Sequence, residues 1–592
     1  MQNEKQHYIL IIILNIFAYI IIYMSYPSIK DNDFYEKINK LYKKYQIPKK
    51  KLSVKEYCKP KEFKLQEPQQ FLSEYINPKT PYKSILIYHR IGAGKTCSAI
   101  QIAEKWKDKR KIVFVLPASL KGNFMSELRS QCGGYLTKSE QKQIMTLKTS
   151  DDEYIRIMKE SVKRIEKYYT IYSYNKFIEL IKEGELNLKN TILFIDEIQN
   201  MVSETGTYYR QLYNLLYDNS NDVRIVLLSA TPMFDKPSEI ALTINLLKPD
   251  KLMPVGREFE KMFIKEKKNK NETLYSVQNM DIFKKMLKGY VSFYAGAPAY
   301  TFPEMTIKYV ECAMDDFQYN VYKKLMRNEN ADFNHVPTKE TVLNAIDLPN
   351  NFYIGTRFVS NIVFPNQQVN ERGYESLTEP KILKQLDKYS CKFSKIINSI
   401  KKTKGKIFIY SGFKEYAGLK TLCKILDAFG YKNFVKHGAG SKRYAVWSGD
   451  ETIQTKDDIR DTYNKIDNLY GSQLKIILGS PSIKEGVTLK AVRIVHVIEP
   501  YWNKSRLEQV IGRASRFCSH INLPEEERNV KVYVYIATHP NEPITVDQYI
   551  KKLSETKNKI IRQFELAIKE AAVDCKLNYY ANTDKINKLK CI

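Results

Sequence analysis

Residues 84–96 read SILIYHRIGAGKT, and the fold follows from how that stretch divides. Its first half is an apolar, largely β-branched or aromatic run of strand length, and its second half is a glycine-rich turn ending on Lys95 and Thr96. Such a turn lets backbone N–H groups close around a phosphate at a helix N-terminus, where the helix dipole favours negative charge. Gly92, Ala93, Gly94, Lys95 and Thr96 are therefore the candidate ATP-binding residues, with Lys95 on the β/γ oxygens and Thr96 on Mg2+. A strict phosphate-loop string has glycine where His89 stands; the strand before the turn and the helical stretch to about Trp106 supply the context.

Working outward, short β-branched runs alternate with amphipathic stretches, the pattern of parallel sheets covered by helices. Strands are expected at 84–88, 112–116, 192–195 and 224–229, then at 406–410, 474–478, 494–498 and 530–536. The runs fall into two clusters. The expected fold is thus α/β, with parallel-sheet domains over 63–250 and 385–540, an inter-domain insertion over 251–384, and a C-terminal helical tail over 541–592 that packs on the second domain.

A second half-site is needed for hydrolysis, and TILFIDEIQ at 191–199 supplies it at the end of an apolar strand. Asp196 is placed for the Mg2+ shell and Glu197 for the attacking water, with Gln199 beside the nucleotide. The string SAT at 229–231 follows another strand, and QVIGRASR at 509–516 lies in the far cluster. Arg513 and Arg516 can reach a γ-phosphate from a neighbouring domain, because guanidiniums three residues apart share a helical face, and Gln509 of the same string is a candidate nucleotide contact. Gln70, in the entry segment before the first strand, is a candidate adenine contact.

The chain has 592 residues and a formal net charge of +29, from 95 Lys plus Arg against 66 Asp plus Glu. With 43% hydrophobic and 27% charged residues, it is neither disordered throughout nor a polytopic membrane protein. The surplus favours a polyanionic partner, although a Lys-, Ile-, Tyr- and Asn-heavy composition contributes to it. Nine cysteines stand singly, without zinc spacing, and read as reduced thiols of a cytosolic protein.

Residues 8–29 carry no charge, and 9–23 hold eight Ile, two Leu and one Phe. This reads as an N-terminal signal-anchor transmembrane helix over 1–29. The basic linker 30–62 follows; the stretch 30–64 has twelve Lys against five acidic residues, which places the body in the cytoplasm.

The ordered strings resemble superfamily 2 helicases and translocases over about 63–540, which implies that the two α/β domains are RecA-like P-loop NTPase domains. Motif Ia is LPASL at 116–120 with Asn123, motif IV is KIFIYSGF at 406–413, and motif V is SIKEGV at 482–487. The resemblance implies that Pro117, Ser119, Ser411, Ser482, Glu485 and Gly486 hold a nucleic-acid backbone, without reading its bases. The phrases YHRIGAGKTCSAI at 88–100, TPMFDKP at 231–237, GYVSFY at 289–294, EPYWN at 499–503 and RFCSH at 516–520 look like the helicase-like ATPases of large cytoplasmic DNA viruses. These include the poxvirus early transcription factor small subunit, nucleoside triphosphatase I, and asfarvirus and mimivirus relatives. Arg90 departs from that pattern, as does the N-terminal anchor.

What the resemblance implies is a nucleic-acid-dependent ATPase using ATP and Mg2+, acting on DNA in preference to RNA. Its expected partner is the viral RNA polymerase or a second transcription-factor subunit, in early transcription initiation or termination. Membrane attachment through 8–29, with packaging in the virion, completes the expectation. The alternatives are a viral ATP-dependent RNA helicase, or a membrane-tethered non-catalytic nucleic-acid-binding virion protein.

Overall fold

The computed structural model describes residues 26–49, 53–58, 62–148, 150–202, 206–218, 222–233, 236–269, 272–331, 333, 352–484, 487–583 and 588–592. In chain order, the helices that matter here are α1 (Phe34–Leu41), α2 (Val54–Cys58), α3 (Glu67–Tyr75), α4 (Lys95–Trp106), α5 (Lys504–Ile511) and α6 (Val546–Glu570). The first-half strands are β1 (Ser84–His89), β2 (Lys111–Leu116), β3 (Tyr169–Ser173), β4 (Thr191–Ile195), β5 (Arg224–Ser229), β6 (Ile264–Asn269), β7 (Glu272–Val277) and β8 (Val291–Tyr294). The rest are β9 (Glu304–Ala313), β10 (Lys406–Tyr410), β11 (Lys432–Asn433), β12 (Arg443–Trp447), β13 (Ile476–Gly479), β14 (Val492–Val497) and β15 (Asn529–Thr538).

Two parallel sheets form. The first runs β3-β2-β4-β5-β1-β8 and the second β11-β12-β13-β10-β14-β15-β9, while β6 and β7 make an antiparallel hairpin. Strands β1, β4 and β10 are buried along their whole length, as continuous apolar runs covered by helices on both faces must be. The segment 251–384 contributes to both sheets. β8, inside the Gly- and aromatic-rich 289–303 stretch, pairs with β1; β9 pairs with β15 over ten residue pairs.

The long helix α6 starts on the second sheet and ends on the first. The Thr545 side chain caps it by accepting from the Gln548 N–H, and buried Asp547 in its first turn pairs with Lys392. Further along, Phe564 meets Phe259 and Phe283. Beyond the helix, Val573 N donates to Val291 O at 2.8 Å, on the free edge of β8. The tail expected to sit on the second domain therefore bridges to the first, because its last turns are apolar on the face that meets these phenylalanines.

The expected transmembrane helix does not stand. Residues 1–25 lie outside the described residues, and among the described residues no helix is long and apolar enough to cross a membrane. The end of the expected span packs on protein: Tyr82 OH donates to Pro27 O at 2.8 Å, Tyr26 makes an edge contact with the Tyr82 ring, and Ile29 lies against Gly289. In the basic segment that follows, Phe34 and Ile38 of α1 are fully buried in the core formed by Tyr75, Tyr82 and Ile85. Apolar sequence here covers the first domain.

The expected set of reduced thiols is corrected too. Cys58–Cys518, Cys97–Cys132 and Cys575–Cys591 are disulfide-bonded, while Cys312, Cys391 and Cys423 are free. Sequence separations of 460, 35 and 16 residues hide these pairs from spacing rules. The first joins α2, before the first domain, to the turn that follows Arg516 in the second.

Candidate nucleotide site

Strands β4, β5 and β1 lie side by side and parallel, so their C-terminal ends open onto one edge of the first sheet. That edge is where ligands bind in open α/β sheets. After β1 the chain turns through Gly92 (φ +82°) and Gly94 (φ +73°) into α4. These left-handed values need glycine, and they bring the backbone N–H groups round to the helix start.

Lys95, the first residue of α4, bridges the acids that end β4. Its Nζ lies 2.9 Å from Asp196 Oδ1 and 2.7 Å from Glu197 Oε1. Burial alone would depress the lysine, but the two carboxylates outweigh it and raise its pKa. Burial pushes Asp196 up, and Lys95 only partly offsets this. Burial acts on Glu197 in the same sense, yet Lys95, Gln199 and Arg513 prevail and hold it below the usual carboxylate range. Of the two, Glu197 is the carboxylate whose charge its surroundings favour more.

A polar chain leaves this pair. Gln199 Nε2 donates to Glu197 Oε2 at 2.6 Å, Ser229 Oγ donates to Gln199 Oε1 at 2.6 Å, and Thr231 N donates to Ser229 Oγ at 3.0 Å. Glu197 itself sits at φ +53°, its carbonyl accepting from Tyr174 OH at 3.0 Å. A strained backbone at this point is held by its neighbours.

The second domain closes the other side. A Cβ on Gly512 would lie 3.7 Å from Ile91 Cδ1, and one on Gly92 would lie 3.9 Å from Phe517 Cβ, so the arginine-bearing turn abuts the phosphate loop. Arg513 is 7% exposed, and its charge reaches Glu197. Burial and Arg513 lower the pKa of Arg516, against the pull of Glu197. Gln509 lies on α5, one turn before these arginines, and is partly exposed.

Residues 39–372 match the SNF2-related domain, and residues 391–518 match the helicase conserved C-terminal domain. The chain belongs to the SNF2-related helicase family. A protein of Acanthamoeba polyphaga mimivirus named as a candidate ATP-dependent RNA helicase, R563, is 49% identical over 565 residues, covering 94% of this chain and 97% of that one. The African swine fever virus termination factor NPH-I homolog (isolate Tick/South Africa/Pretoriuskop Pr4/1996) is 26% identical over 567 residues, covering 84% of this chain and 77% of that one. The crystal structure of the Pyrococcus furiosus Hef helicase domain aligns over 79% of this chain and 94% of that one, at 14% identity and a TM-score of 0.39. The superfamily 2 helicases of nucleocytoplasmic large DNA viruses are its kin, and the chain is an ATP-hydrolysing enzyme of helicase type.

Within this SNF2-related chain, Lys95 with Thr96 next to it, Asp196, Glu197 and Gln199 converge with Arg513 and Arg516. Gln70 does not. Its Nε2 donates to Leu65 O at 2.9 Å, whereas Gln69 Nε2 donates to Gly94 O at 3.3 Å and leans over the phosphate loop. Both are Gln, and only the helical phase of α3 separates them. Ser411 is not a backbone contact either. It is fully buried, and its hydroxyl donates to the Glu499 carboxylate at 3.1 Å. Pro117 is buried; Ser119 and Ser482 are exposed, and Glu485 and Gly486 lie outside the described residues. His89, Ser292 and Asp574 form a buried cluster behind the phosphate loop that the sequence reading did not connect.

Proposed function

We propose that this chain is a DNA-stimulated ATPase that translocates on its track during viral early transcription, with the viral RNA polymerase or a second transcription-factor subunit as partner. The observation that carries the reading is the bridge from Lys95 to Glu197 on the first sheet, faced by Arg513 and Arg516 from the second.

ATP phosphates are better partners for Lys95 than Glu197 is, since they carry more charge on more oxygens. When the lysine turns to the β/γ oxygens, Glu197 loses its cation and keeps Gln199. It becomes free to orient and deprotonate a water. Gln69, the glycine turn and the start of α4 hold the nucleotide. Arg513 and Arg516 sense the γ-phosphate from the turn that follows α5, and Gln509 approaches from α5 itself. The Thr96 hydroxyl and Asp196 carboxylate are hard oxygen donors that fit Mg2+, which when bound neutralises phosphate charge. Loss of the γ-phosphate removes what binds the two domains across the cleft, and the Glu197–Gln199–Ser229–Thr231 chain carries that change away from the site.

The NPH-I homolog's name, a termination factor, supports a role in transcription. The mimivirus relative's name supports RNA as the second reading. Phosphate release by the full chain is measured without nucleic acid and with duplex DNA, single-stranded DNA and RNA, each at two salt concentrations. Stimulation by DNA that weakens with salt is expected, lost in Lys95→Ala and Glu197→Gln. Unchanged turnover in either variant refutes the site. Stimulation by RNA alone replaces the DNA reading.

A further inference from the structure

β8 ends the first sheet, so among the described residues one row of its backbone groups has no strand to pair with. The C-terminal segment supplies the partners. Val573 N donates to Val291 O at 2.8 Å, and Phe293 N donates to Asp574 Oδ1 at 2.9 Å. Asn578 and Asn582 amides donate to Phe293 O at 3.1 and 3.0 Å, and Ala295 N donates to Asn582 Oδ1 at 2.8 Å. Side chains spaced along the last turns thus stand in for a seventh strand.

Asp574 does more than close the edge. Its Oδ2 accepts from Ser292 Oγ at 2.6 Å and from Asn578 Nδ2 at 2.8 Å, and Ser292 Oγ lies 3.0 Å from His89 Nε2. His89, Ser292 and Asp574 are all fully buried. Burial lifts Asp574 to about 6, but Phe293 N and Asn578 Nδ2 donate to its two oxygens and favour the carboxylate form. A carboxylate only accepts. The single hydroxyl proton of Ser292 therefore points to Asp574, and the serine oxygen can only accept from the histidine. His89 must carry its proton on Nε2, which leaves Nδ1 as a lone pair. That Nδ1 is buried and has no partner among the described residues. Burial, with the nearby Lys95 charge, keeps the ring neutral.

His89 is the last residue of β1, and the phosphate loop begins at the next position. A second contact reaches the same loop from β8: a Cβ on Gly296 would fall 3.0 Å from Ala93 Cβ. We propose that Ser292 and Asp574 are positioning residues of the nucleotide site, fixing the tautomer of His89 so that its Nδ1 accepts a phosphate-loop N–H when the loop closes on ATP. The C-terminal segment 573–582 is then a working part of the ATP site. This rests on the ATPase reading above and goes beyond it.

Ser292→Ala removes the middle of the chain, and Ser292→Thr keeps the hydroxyl. Asp574→Asn can donate to Ser292, which reverses the chain and moves the histidine proton to Nδ1. The full chain labelled with 15N-histidine is examined by ring-nitrogen NMR, with His89→Gln assigning the signal; KM and kcat for ATP and the melting temperature are measured alongside. The expected result is an Nε2–H ring in the parent, an Nδ1–H ring in Asp574→Asn, and KM raised about tenfold in Ser292→Ala and Asp574→Asn with kcat within about threefold. Ser292→Thr restores KM. An Nδ1–H ring in the parent overturns the proposal. So does an unchanged KM, or a fall in kcat that merely tracks the melting temperature. If the parent does not hydrolyse ATP, the ATPase reading fails instead, and the dissociation constant of a fluorescent ATP analogue reads the same tenfold change.

Discussion

Replacing Lys392 with methionine tests how the second domain holds its polar interior. Lys392 Nζ lies 2.6 Å from Asp547 Oδ2, with side-chain exposures of 0% and 2%, and also donates to Asn361 Oδ1 at 2.8 Å. Asn361 Nδ2 donates to Glu499 Oε2 at 3.2 Å, and Glu499 takes the Ser411 hydroxyl and the Gly412 N–H. Burial raises the Glu499 pKa, and Lys392 is the first charge that opposes it. Lys392→Met therefore leaves Asp547 without its ion-pair partner and Glu499 with only the weaker effect of the Arg357 charge to oppose its burial. Breaking one buried pair costs about 3–5 kcal/mol, and the second acid places this case toward the upper end. For a domain of this size that is a drop of roughly 6–20 °C in melting temperature. Removing both charges, as Lys392→Met with Asp547→Leu, recovers most of the loss, because a paired buried charge contributes little beyond an apolar replacement. Scanning calorimetry of the parent, both single variants and the double variant completes the cycle. A single variant that melts within about 2 °C of the parent, or a double variant no better than Lys392→Met, refutes the reasoning.

Three further outcomes are expected. Gln69→Ala weakens ATP binding about tenfold while Gln70→Ala leaves it within about twofold, read as KM; equal effects would remove Gln69 from the site. Lys406, buried against the Tyr463 ring with its Nζ donating to Tyr463 O at 2.6 Å, is pushed down to about 7 by burial, with Lys490 adding to it. The unfolded chain binds this proton more tightly, so stability rises with pH between about 7 and 10.5; Lys406→Met flattens that rise in urea titrations, and an unchanged slope counts against it. Peptide mapping without reductant recovers Cys58 joined to Cys518, and reduction by dithiothreitol raises ATP turnover in the parent but not in Cys58→Ser, since the bond ties α2 to the turn after Arg516. Equal response in both would show that the tie does not restrain the cleft.

Strings that act locally were legible in sequence. The apolar runs of β1, β4, β5 and β10 stood out because both faces are buried, and Lys95, Asp196, Glu197 and the two arginines follow from short spacings at their ends. β3 was missed because most of it is only partly buried, and β8 because it is four residues long and lies in the segment read as an insertion between domains. β9 is largely exposed along the sheet edge, so burial left no pattern. Ser411 misled because its partner Glu499 lies 88 residues away. The end of the apolar stretch, residues 26–29, misled for a related reason: hydrophobicity states that a surface avoids water, not whether lipid or protein covers it.

The closure of β8 by the C-terminal segment also bears on how the protein is made. Asp574 leaves the ribosome 282 residues after Ser292. At about 5–20 residues per second, that is an interval of roughly 14–56 s. Throughout it, the first sheet has all its strands but an open parallel edge at Val291 and Phe293, a template for pairing with another nascent chain. The N-terminal half thus exposes a pairing edge until residues 573–582 arrive. A fragment ending before residue 573 should be recovered mainly as aggregate, even with every nucleotide-binding residue of the first domain in place.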